Sequence, residues 1–116
     1  MGRQLAFWKY ENGISLDNGE VFNTACVEGK TVQGLSELPI NDILLKAKKV
    51  FREYERLDDY HYGGLEGNFT IRTTPQSVFF DCSLRMSDTE LGKIIDMMKG
   101  FNCPCYDPQT GNRSEV

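Results

Sequence analysis

Three stretches of the 116-residue chain combine residue types that can do chemistry, and each lacks something that chemistry needs. The first is Cys103-Pro104-Cys105. On an extended strand, residues two apart project from the same face, so both sulfurs would lie close enough to grip a soft metal. A structural zinc site wants four ligands, however, and here Cys26 and Cys82 are remote in sequence and His61 is the one histidine. Redox pairs usually separate their cysteines by two residues rather than one. Cysteine also packs well as a small apolar side chain, the plainer reading for a closing strand. No metal and no cofactor is expected; a small ligand- or metal-binding domain using Cys103 and Cys105 stands as an alternative.

The second stretch, His61 with Asp58 and Asp59, has the composition of a general base that would need a serine or cysteine nucleophile from elsewhere. No G-x-S-x-G elbow and no catalytic-cysteine signature supplies one. A surface-loop histidine accounts for the same residues. The third, Gly63-Gly64-Leu65-Glu66-Gly67, has neither the phosphate-loop nor the dinucleotide-binding pattern, and no helix is expected after it. No catalytic residue is assigned.

Any site must be positioned by the stretch Asn68–Leu84, NFTIRTTPQSVFFDCSL, which reads as a β-hairpin. Phe69 and Ile71 alternate with Asn68, Thr70 and Arg72, the period-2 pattern of a strand with one buried face. Thr74-Pro75-Gln76-Ser77 supplies a turn, with the proline ring presetting φ at its first central position. The second arm puts Val78, Phe80 and Cys82 on one face and Phe79, Asp81 and Ser83 on the other. Leu5–Tyr10 is a first strand with apolar groups on both faces, hence central. Asp17–Gly29 carries Val21, Phe22, Ala25 and Cys26 at helical spacing, with capping residues at each end.

Pro39–Glu55 has one apolar stripe from Ile40 to Tyr54 and an opposite face of Lys46, Lys48, Lys49 and Arg52, which reads as an ordinary solvated helix face. Leu57–Gly67 reads as a loop. Ser87–Gly100 is a second strong helix, opened by a Ser87/Glu90 capping box and stopped by Gly100. Asn102–Tyr106 is a last strand. The order β-α-β-β-α-β predicts an α+β, ferredoxin-like sandwich: a four-stranded antiparallel sheet with two main helices on one face. Residues 1–108 form one domain and 109–116 a loose tail.

Seventeen acidic against thirteen basic residues give a net charge of −4, the wrong sign for a general nucleic-acid binder. No apolar run approaches the roughly 18 residues of a membrane helix, and MGRQLAFWKYENG has no apolar signal-peptide core. The chain is expected to be cytoplasmic, with reduced cysteines.

In that fold one sheet face is bare. Trp8 and Tyr10, Thr70 and Arg72, and Phe79 and Asp81 would share it, a mixture of aromatics and charges that protein interfaces favour. RNA-recognition modules stack bases on such a face, but Ser77–Asp81 lacks their basic-Gly-aromatic pattern and Asp81 would repel phosphate, so nucleic acid is not expected. The competing arrangement has the face covered by residues 17–29 or by a second subunit.

The segments LAFWK (Leu5–Lys9), ELPI (Glu37–Ile40), TTPQSVFFDC (Thr73–Cys82) and CPCYDPQ (Cys103–Gln109) resemble a family of small bacterial proteins that close on aromatic-x-Cys-Pro-x-Tyr-Asp-Pro-Gln. The likeness spans nearly the whole chain. Members of that family carry another residue where Cys105 stands, which weighs against a metal site. In size and style the chain also resembles the immunity proteins encoded beside polymorphic toxins. The resemblance implies a non-catalytic protein that neutralises a toxin domain by contact. Acidic Asp58, Asp59, Glu66 and Asp81 would then meet toxin cations, while Trp8, Tyr10 and Phe79, with Arg72 beside them, would anchor the interface.

Overall fold

The computed structural model describes residues 3–64 and 67–113. Among these, the chain forms strands β1 (Arg3–Trp8), β2 (Glu55–Asp58), β3 (His61–Gly64), β4 (Gly67–Thr74), β5 (Ser77–Cys82), β6 (Cys105–Asp107) and β7 (Asn112–Arg113). Helix α1 (Asn18–Val21) runs directly into a π-helical stretch, Phe22–Val27, and α2 (Ile40–Val50) and α3 (Asp88–Lys99) follow. All strands lie in one antiparallel sheet of order β2-β3-β4-β5-β1-β6-β7. No helix among the described residues is long and apolar enough to cross a membrane.

The β4–β5 hairpin pairs Phe69 with Cys82, Ile71 with Phe80 and Thr73 with Val78, closing at Thr74 and Ser77 across Pro75-Gln76. Its alternation sets the faces as the periodicity requires. Phe69, Ile71, Val78, Phe80 and Cys82 join Leu5 and Phe7 of β1 beneath α2 and α3. Ala6 and Trp8 of β1 and Phe79 of β5 point the other way.

That other face is not bare. Val21, Ala25 and Cys26 of the α1/π segment close over Ala6, Trp8, Phe79 and Tyr106 to make a second, smaller core. Asp17 caps α1 by accepting from the Glu20 amide at 3.0 Å, and Gly29 leaves the segment at φ +70°, a left-handed position glycine adopts without strain. The expectation of a four-stranded ferredoxin-like sheet with two helices on one face is therefore corrected. The sheet has seven strands, and helices pack on both sides of it.

Two of the added strands come from residues read as a loop. β2 is exposed throughout and β3 buries only Tyr62, so neither shows the apolar alternation that marks a strand. Pairing with β4 and stacking of Tyr62 on Phe69 (4.9 Å, 8° between planes) hold the hairpin in place. Residues 109–113, expected to begin a loose tail, instead make a turn and β7. Arg113 donates from Nη2 to the Trp8 carbonyl at 2.6 Å, and its guanidinium lies 5.2 Å from the Trp8 ring centre.

Helix α2 ends at Val50 rather than near Glu55: Phe51 leaves helical geometry (φ −108°, ψ 33°), and Phe51 and Tyr54 both pack on Phe69 (4.8 and 5.6 Å). Ser87 caps α3 as expected, accepting from the Glu90 amide at 3.3 Å. The glutamate's own carboxylate goes elsewhere: it accepts from the Tyr54 hydroxyl at 2.8 Å and pairs with Lys93 at 2.8 Å, fastening α3 to the end of α2. Helix α3 stops at Gly100 as expected, but the glycine keeps a right-handed conformation and the left-handed residue is Asn102, φ +60°.

Two outcomes follow from this packing. Trp8→Ala, which empties the centre of the outer core, is expected to lower unfolding free energy by about 3–5 kcal/mol in urea titrations followed by circular dichroism. The Lys93 and Tyr54 bonds hold the Glu90 carboxyl below its ordinary 4.5. The unfolded chain therefore binds the extra proton as pH falls, so this contribution is complete above pH 4.5 and is lost through the lower folded value. Glu90→Gln should accordingly flatten the acid limb of the stability–pH curve.

Candidate functional site

The residues expected to share a bare face separate into three groups. Trp8 is fully buried and Phe79 is 5% exposed beneath the α1/π segment, so neither is a surface anchor. Of the two arrangements weighed from sequence, the cover by residues 17–29 is the one observed. Tyr10 is half-buried, its hydroxyl bonded to Asn18 (2.5 Å) and its ring 4.7 Å from the Arg113 guanidinium. It belongs to the seal of the second core.

Arg72 lies at the border of the cover. Its Nη2 donates to the Cys26 carbonyl at 2.8 Å, and its guanidinium carbon is 5.0 Å from the centre of the Phe79 ring. The carbonyls at a helix C-terminus lack intrahelical partners, and the arginine satisfies one of them.

Toward β2, none of the described residues packs over the outer face, and Asp58, His61 and Asp81 are exposed. Strand register places five side chains opposite one another in a row across five strands. Asp58 pairs with His61, His61 with Thr70, Thr70 with Asp81 and Asp81 with Gln4. Directly paired residues point to the same face, so the row is a continuous polar band. Leu57, 71% exposed, stands at the end of it, and a shallow depression of about 390 Å³ runs between Leu57, His61, Thr70 and Asp81.

Within the band the acids differ. Asp58 accepts from the Tyr60 amide at 2.7 Å and faces His61 Nδ1 at 2.8 Å. The histidine bond, more than the backbone one, pulls its carboxyl below the ordinary range. Asp59 is neutralised within the chain by Arg56 (2.9 Å) and Lys48 (3.1 Å). Asp81 is exposed and joins no ion pair among the described residues. Glu66 lies outside the described residues.

The pair Asp58–His61 has the geometry of a base and its orienting acid. No hydroxyl or thiol of the described residues bonds the opposite ring nitrogen, so no nucleophile is aligned with it. All four thiols are buried and unbridged. Burial pushes Cys26, Cys103 and Cys105 up to about 11 and Cys82 to about 12. Cys103 and Cys105 do face the same core, yet that core is the apolar one under α2 and α3. No group of three or more histidine, cysteine or acidic side chains placed to hold a metal occurs among the described residues.

No protein-family model matches the chain, and a search of curated proteins finds no significant match.

The burial of the thiols sets a direct expectation. Native protein at about pH 8 should leave all four cysteines unlabelled by Ellman's reagent over a time in which the urea-unfolded chain labels completely. Fast labelling of Cys103 or Cys105 in the folded state would contradict their placement.

Proposed function

We propose that this chain is a non-catalytic binding protein that engages a basic protein partner through the uncovered half of its outer sheet face. The observation that carries the reading is the register row Asp58–His61–Thr70–Asp81–Gln4, closed at one end by exposed Leu57. A flat sheet face with an unneutralised carboxylate and an exposed leucine beside it suits a partner that presents an arginine or lysine flanked by apolar surface. The net charge of −4 acts in the same direction, drawing a basic protein in during encounter. The resemblance to toxin-immunity proteins supplies the partner's identity in this proposal: a cognate bacterial toxin domain, bound and neutralised by contact.

The interface differs from the one composition suggests. Trp8 and Phe79 are committed to the second core, and Asp59 is already paired with Lys48 and Arg56. Among the described acids of that set, Asp81 is free to meet a cation, with Leu57 as the apolar contact. RNA would find neither of the buried rings available for base stacking.

Tagged protein from its native lysate should retain one stoichiometric basic protein. Asp81→Lys should then weaken the isolated complex at least about tenfold, with added salt weakening the unaltered complex in the same way. Because Asp81 is exposed and unpaired, the variant should keep its fold, which circular dichroism checks. An affinity unchanged by Asp81→Lys and by Leu57→Ala would overturn the assignment of this face.

A further inference from the structure

The cleft at the border between the α1/π cover and the uncovered half-face holds a cation that the protein-binding reading does not use. Arg72 is oriented from two sides, by the Cys26 carbonyl at 2.8 Å and by the Phe79 ring at 5.0 Å. It joins no ion pair among the described residues, although arginines 3 and 56 each reach a carboxylate within 4.0 Å. Nη2 gives one of its two protons to that carbonyl, so one of the two forked edges of the guanidinium, Nε–Nη2 or Nη1–Nη2, keeps both of its donors. The arginine lines a cavity of about 440 Å³ between the end of the π-helical stretch and β4.

The walls narrow the chemistry. Tyr60 and Val27 supply apolar surface, and the Tyr60 hydroxyl has no hydrogen-bond partner among the described residues. The hydroxyls of Thr74 and Ser77 are bonded to each other at 2.8 Å and offer little to a ligand. Glu28 also lines the cleft, tied to Lys30 at 3.5 Å, and its carboxylate disfavours a doubly charged anion. π-Helical turns of this kind recur at functional sites, and here the turn delivers the carbonyl that fixes the arginine.

We infer that this cleft binds a small organic monocarboxylate with an apolar body. The carboxylate would take two parallel bonds from the free edge of Arg72, the geometry a planar guanidinium matches best. Its apolar body would lie against Tyr60 and Val27. A cavity of this size falls in the ordinary range for small-molecule sites. The site is separate from the Asp81 band and does not depend on that surface binding a protein.

Amide NMR spectra recorded during titration with phenylacetate test the inference, with phenylacetamide and inorganic phosphate as matched probes. Saturable shifts confined to residues 26–29, 60 and 72 are expected with phenylacetate, at least about tenfold weaker with the neutral amide and with phosphate. Arg72→Gln should weaken phenylacetate by a similar factor while leaving the remaining spectrum in place. Equal response to acid and amide, or to acid and phosphate, would overturn the inference, as would shifts elsewhere or none that saturate. The acid–amide comparison uses the unaltered chain, so it decides the matter even if the variant fails to fold.

Discussion

Strand β1 is buried on both faces, and the architecture follows from that constraint. Leu5 and Phe7 on one side and Ala6 and Trp8 on the other are each 1% exposed or less. A strand apolar on two faces must lie inside a sheet and must have a layer on each side, since either face left wet would forfeit its burial energy. β5 and β6 flank it in the sheet. Helices α2 and α3 cover one face, and the α1/π segment with the Arg113 clamp covers the other.

The cover is incomplete, and the functional surfaces lie where it stops. A helical stretch of ten residues shields β1 and β5 but not β2 and β3. Beyond its end the outer face becomes polar, with Asp58, His61, Thr70 and Asp81 replacing the apolar set at equivalent positions. The boundary itself is a cleft, because the helix end stands above the sheet and Arg72 bridges the step to Cys26. One geometrical fact thus creates both an acidic flat surface and, beside it, the cleft that holds Arg72.

Charge placement also explains how the sheet ends. β2 carries Glu55, Arg56 and Asp58 on a strand with one free edge and a register shift between Arg56 and Asp58. Charged residues and an irregular register discourage edge-to-edge pairing with another chain. The same charges leave β2 without a sequence signature: a strand that buries nothing has no hydrophobic period, only a partner. Arg113 illustrates the reverse case at the other edge. Nothing in the closing residues announces a cation–π clamp on Trp8, because its partner is 105 positions away.

By itself the sequence determined the elements whose burial pattern is local. The β4–β5 hairpin and its turn, the two faces of β1, the Ser87 cap and the stripes of α2 and α3 are all written in spacing over a few residues. Only the tertiary structure decided which surfaces remain available. Whether Trp8 and Phe79 face a partner or the protein's own α1/π segment depends on where that segment docks. Whether Asp59 or Asp81 is free depends on which cations the fold brings within reach of each. Those are contacts between residues distant in the chain, and period and capping carry no information about them.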